Sequence, residues 1–137
     1  MTISSLIAMH DVLRVHPDLA SDGFSPSSEG RAGMCTPHML AVFERCVSWL
    51  GAAPRSPRPI VGSYWAKRIL ERLAGVYVPN GALIAAAVHL DMQMRRDKSN
   101  ADLAIDLPWV QREDERSHTA DEFRRQHRGS AAPAVAR

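Results

Sequence analysis

A mainly α fold is what this sequence predicts: a compact domain of about four helices, with one short two-stranded ribbon joining Val76–Val78 to Leu103–Leu107. Three observations predict it. Apolar residues recur at spacings of three and four in four separate stretches. Three of those stretches open on a serine or threonine cap, and the first two also close at a proline or glycine, Pro17 and Gly51. One of them, Ala82 to Arg95, is apolar around nearly its whole circumference, the pattern of a central buried helix.

The first helix starts at a cap supplied by Ser4 or Ser5 and runs to Val15, with Leu6, Met9, Val12 and Leu13 on its apolar side. Pro17 ends it, because proline donates no backbone hydrogen bond and clashes with the preceding turn. Residues 17–34 are rich in Gly, Ser and Pro and read as a flexible loop. Thr36 and Pro37 open a second helix as cap and first helical residue; Met39, Leu40, Val42, Phe43, Cys46, Val47 and Leu50 form its stripe, and Gly51 closes it. Pro54 to Pro59 then form a stiff extended connector.

Ser63 caps a third helix to Ala74, with Trp65, Ala66, Ile69, Leu70 and Leu73 apolar and Lys67, Arg68, Glu71 and Arg72 off that side. Pro79-Asn80-Gly81 is a turn, and the buried fourth helix follows. From Asp102 to Trp109 the rhythm changes to alternation, with Leu103, Ile105, Leu107 and Trp109 on one face of a half-buried strand. The domain expected is therefore 1–110, with its core in 35–110. Residues 111–137 form a charged, partly disordered helix and tail, with Thr119 and Glu122 as a capping box and Phe123 as its main anchor.

Composition bounds the function. With 137 residues and 45% hydrophobic side chains the chain can build one core. A net charge of +2 is too small by itself to indicate nucleic acid. Two cysteines, Cys35 and Cys46, give no disulfide framework, the first residues do not form a signal peptide, and no apolar run is long enough for a membrane helix. A cytoplasmic protein with no membrane association is the expectation.

The candidates for chemistry are few. Cys35, His38 and Cys46 have partial zinc-ligand character, but a structural site needs a fourth ligand and Cys46 lies on an apolar stripe, so no metal is expected. His89, two residues before Asp91, is the one histidine inside the buried helix and reads as a core residue rather than a general base. Phosphate-cradling, dinucleotide-binding and nucleophile-elbow motifs are absent, so neither catalytic residue nor cofactor is expected. The charge clusters locally instead: Arg55, Arg58, Lys67, Arg68 and Arg72 are opposed by Glu71 alone, with Arg95, Arg96 and Lys98 further on. Such a cluster suits phosphate contact, and Tyr64 and Trp65 lie beside it. A helix-turn-helix reading of the third and fourth helices fails physically, since a recognition helix must offer polar groups to base edges.

The run Ser63-Tyr64-Trp65-Ala66-Lys67, Glu71, then Tyr77-Val78-Pro79-Asn80-Gly81-Ala82-Leu83-Ile84-Ala85-Ala86-Ala87 resembles a pattern in small bacterial proteins of unknown function, several of them in plasmid, phage or other mobile-element contexts. The resemblance covers residues 63–101. The chain departs from that pattern at Trp65-Ala66, where a glycine and a larger aliphatic are usual, and at Asp91, where a glycine would end the fourth helix. It implies a bacterial setting and assigns no activity. The expectation is a non-catalytic binding protein, nucleic-acid-associated through Arg55, Arg58, Lys67, Arg68 and Arg72. The alternative is a protein-binding accessory or inhibitor made by a mobile element, for instance against a host defence system. The partner is then a nucleic acid or a host protein, and a homo-oligomer is compatible with both.

Overall fold

The computed structural model describes residues 3–25, 31 and 33–135, with side chains up to residue 128. The fold is mainly α, 63% helical. Five α-helices are described: α1 (Ile3–Val15), α2 (Pro37–Gly51), α3 (Ser63–Ala74), α4 (Asn80–His89) and α5 (Leu107–Val135). Two small antiparallel sheets complete it. One pairs β1 (Leu19–Ala20) with β2 (Gly23–Phe24); the other has the order β3-β5-β4, from β3 (Val61–Gly62), β4 (Met94–Asp97) and β5 (Asn100–Leu103).

The centre is α4. Every residue from Asn80 to Ala87 is buried, because Leu83 and Ile84 fill space while Ala82, Ala85, Ala86 and Ala87 let neighbours approach closely. α2 lies along one side with Met39, Leu40, Val42, Phe43, Cys46 and Leu50 buried, and α1 and α3 pack on the others. The Thr36 cap forms as the sequence predicts: its side chain accepts from the Met39 amide at 3.2 Å, with Pro37 at the first helical position. α4 ends earlier than the periodicity predicts. Asp91 takes a left-handed conformation, φ 54°, at the position where a glycine would terminate the pattern, and the chain turns into β4.

The ribbon differs from expectation. Val76–Val78 is not a strand; β5 sits between β4 and β3, with Leu103 opposite both Met94 and Val61. The proline-rich connector lies alongside the β5 continuation, where Ser56 N donates to Ala104 O at 3.1 Å and Asp106 N to Pro54 O at 2.9 Å. It supplies the edge that Val76–Val78 was expected to supply. The alternating segment stops at Asp106, whose carboxylate accepts from Trp109 N at 3.1 Å and thereby starts α5. Ser63 is not the cap of α3; Gly62 occupies that position, and the fully buried Ser63 hydroxyl accepts from Ala101 N, binding β5 to the helix.

Part of the stretch expected to be a flexible loop is built into the core. Leu19, Ala20 and Phe24 are buried, and Arg96 stacks on the Phe24 ring at 3.8 Å while pairing with Asp18. That arginine holds the Asp18 carboxyl below the ordinary carboxylate range. The β1–β2 hairpin rests on the start of α4: Gly81 N donates to Ser21 O at 2.9 Å, and a Cβ on Gly81 would collide with the Ala20 carbonyl oxygen. Residues 26–30 and 32 of the expected loop lie outside the described residues.

The C-terminal segment forms one long helix. Its first half packs on α3, and Trp49 links it to α2 by packing at a tilt against Trp109, ring centres 5.3 Å apart, and donating to Glu113 at 2.7 Å. Thr119 does not cap a helix; it sits inside α5 with its hydroxyl donating to Glu115 O at 3.2 Å. Residues 136 and 137 of the expected tail lie outside the described residues.

The hairpin–helix contact gives a paired stability prediction. Gly81→Ala should cost about 3 kcal/mol or more in urea unfolding, since backbone must move to admit the methyl group. Gly51→Ala, with open space around its Cβ, should instead leave stability unchanged or raise it by up to about 1 kcal/mol.

Candidate functional site

The five basic residues singled out by sequence do not form one surface. Arg55 turns its guanidinium back onto the end of α2, donating to Ala53 O at 2.7 Å and Leu50 O at 3.2 Å. Lys67 is buried, its ammonium 3.4 Å from Glu71. Arg72 is tied to α5 through Asp114 at 2.6 Å and Ser117 at 2.9 Å. Arg58 and Arg68 are exposed. The later cations are partly committed as well: Arg95 pairs with Asp102 at 2.7 Å and Arg96 with Asp18. Three of the five candidates therefore hold the fold together, and Arg58 stands exposed on the connector.

Tertiary packing builds a different basic site. α3, the turn after it and α5 enclose an open cleft of about 370 Å³, lined by Arg68, Arg72, Tyr77, Arg124 and Arg128 with Glu71 and Asp121. Four arginines against two carboxylates leave two positive charges in excess. Gly75 makes the cleft possible: it closes α3 in the left-handed conformation, φ 72°, and the Arg124 guanidinium lies where a Cβ on Gly75 would make tight contact, 3.2 Å away. Arg124 donates to Arg72 O, near the end of α3, where a cation suits the helix dipole. Arg128 is exposed and holds no ion pair among the described residues, and Asp121 is engaged by Arg125 at 3.6 Å.

Beside the cleft, and sharing Glu71 and Tyr77 with it, is an arrangement the sequence did not suggest. The Lys67 ammonium lies 5.0 Å from the centre of the Tyr64 ring and 4.8 Å from that of Tyr77. Glu71 neutralises it from below, accepting from Val78 N at 3.2 Å while its other oxygen stands 3.4 Å from Lys67 and 3.5 Å from Arg68. That second oxygen is within ion-pair reach of both cations and in hydrogen-bond geometry with neither. Both tyrosines are more than half exposed, 55% and 63%. The available signal was spacing: Ser63, Lys67 and Glu71 follow one another at four-residue intervals, so the lysine shares a side with the buried serine.

The remaining candidates separate. Cys46 is fully buried and its thiol is pushed up to about 12 by desolvation, Cys35 is half-buried and also raised by burial, and His38 is exposed. Among the described residues no group of three or more histidines, cysteines or carboxylates could hold a metal ion. His89 is not a core residue. It is exposed, with its ring edge-on to Phe43 at 5.9 Å, and lines an apolar cleft of about 260 Å³ between α1 and α2 with Ala8, Phe43, Glu44 and Val47. Asp91 is not among the residues lining it. Among the described residues no helix is long and apolar enough to cross a membrane.

No protein-family model matches the chain, and no curated protein or solved structure matches it either.

Lys67→Met should destabilise the fold by about 3 kcal/mol by leaving Glu71 without its nearest cation, and adding Glu71→Gln should recover most of that loss, as a thermodynamic cycle in urea would measure. A thiol-alkylating reagent should modify Cys35 in the native protein and reach Cys46 only on unfolding, as read by mass spectrometry.

Proposed function

We propose that this chain is a non-catalytic binding protein of the bacterial mobile-element type its pattern resembles, and that it associates with nucleic acid through the cleft between α3 and α5. The observation that carries the reading is the convergence of Arg68, Arg72, Arg124 and Arg128 on one concave surface with an exposed tyrosine on its wall. Arginine donors in a fork geometry suit phosphate oxygens, and an aromatic ring beside them suits a base or a sugar. Phosphate contact falls on Arg68 and Arg128, the exposed arginines of the cleft; Arg72 and Arg124 are held by the fold and shape the positive field behind them. Arg55, Arg58 and Lys67 do not line this cleft, so the proposed site keeps Arg68 as a contact and Arg72 as a source of field from the sequence-derived set, and adds Arg128 and Arg124 in the same two roles.

A second reading, a protein-binding accessory or self-associating subunit, is favoured by a separate observation. Ile3 and Ile7 stand 78% and 57% exposed on α1, the helix whose Ser4, Ser5 and Ala8 line the apolar cleft shared with α2. That surface is remote in chemistry from the arginine cleft, so the two readings make different demands on mutants.

Binding of a fluorescein-labelled oligonucleotide, followed by anisotropy across a salt series, tests the leading reading. Affinity should fall linearly on a log–log plot as salt rises, and Arg68→Glu with Arg128→Glu should weaken it by about tenfold or more and flatten the slope. Ile3→Ser with Ile7→Ser should leave it unchanged. Binding that ignores both salt and the arginine reversals, or no binding at low salt, removes the nucleic-acid reading in favour of the second.

A further inference from the structure

Resting on the nucleic-acid reading, we infer that the strand bound is single, with bases stacking on Tyr64 and Tyr77 and the backbone following Arg68 towards Arg128. The two rings come from different elements, α3 and the turn after it, yet one buried ammonium touches both. Since each centroid lies within 5.0 Å of that nitrogen, the ring centres are at most about 10 Å apart, a span that neighbouring or next-neighbouring nucleotides of an unpaired strand can cover. Lys67 is fixed from beneath by Glu71, so the rings it holds are restrained before any ligand arrives and lose little freedom on stacking.

The surroundings favour unpaired bases over a duplex. Arg68 is one helical turn beyond Tyr64 on the exposed side of α3, and Tyr77 shares the cleft with Arg68 and Arg128. Phosphate contacts thus border the ring faces, the alternation of aromatic and cationic groups that tracks a single strand. Paired bases keep their faces inside the stack and out of reach of a tyrosine. α4, the helix after α3, is buried from Asn80 to Ala87 and so does not serve as the recognition helix that a helix-turn-helix inserts into a duplex.

The test compares a labelled oligothymidine with a duplex of the same length, using the full chain at one salt concentration. The single strand should bind more tightly. Tyr64→Leu and Tyr77→Leu, which keep an apolar cover over Lys67 but remove the ring face, should each weaken single-strand binding by about fivefold or more, while Tyr64→Phe and Tyr77→Phe should retain it. Circular dichroism and a thermal melt of each variant establish that the fold is intact, and if a leucine variant melts early the native chain's affinity ratio for strand over duplex decides, a ratio of one overturning the inference. Equal affinity for strand and duplex, with the leucine variants indistinguishable from native, overturns the single-strand inference and leaves the arginine cleft standing. Loss of binding to both by the native chain removes the cleft reading as well.

Discussion

Helix α4 offers water no polar face along its first two turns, and the rest of the molecule is arranged to cover it. Burying Leu83 and Ile84 alone removes from water two of the largest fully enclosed side chains, on the order of 2 kcal/mol apiece by area. The alanines between them matter in the opposite sense. They keep the helix thin enough for α1, α2 and α3 to reach it together, and Gly81 carries that logic to its limit by letting the Ala20–Ser21 backbone lie directly on the helix start. The constraint also fixes the N-terminal hairpin. Without Leu19 and Phe24 in place, the beginning of α4 would be open, so a segment of loop-like composition becomes part of the core.

The same burial decides which cations are free. Once α3 is pressed onto α4 and the sheet, its side towards Ser63, Ala66 and Leu70 cannot avoid including Lys67. The lysine is tolerated because Glu71 and two tyrosine rings replace its water shell, an arrangement that costs desolvation and returns little net stability while ordering its neighbours. On the adjoining side, Arg72 is drawn to Asp114 and Ser117 of α5. α5 in turn brings Arg124 and Arg128 to the turn after α3. A run of basic residues in sequence is thus replaced by a cluster assembled from two distant segments.

Several features could be read without coordinates because they depend on a few neighbouring residues. The Thr36-Pro37 start of α2 is local chemistry, whereas the end of α4 was hidden, since its apolar periodicity runs on to Arg95 and the left-handed Asp91 that turns the chain into β4 carries no glycine to signal the turn. The start of α5 was equally local: Asp106 and Pro108 carry cap and first-turn signals, overshadowed by the alternation of Leu103, Ile105 and Leu107. The strand partner of that alternation was not legible. Val76–Val78 and the proline-bearing connector both suit an edge, and the choice depends on which one the packing of α3 brings alongside β5. The candidate site was legible only in part, since Arg68 and Tyr64 share a helix but Tyr77, Arg124 and Arg128 reach them through the turn and through α5.

By itself the sequence determined the helical class, the identity of the buried helix and the Thr36-Pro37 start of α2, because periodicity and capping act within a few turns of chain. Only the tertiary structure decided the sheet order, the incorporation of the hairpin and which arginines remain available. Those outcomes follow from long-range competition for the same buried surface and the same carboxylates, and a residue's own neighbours in sequence carry no record of who wins it.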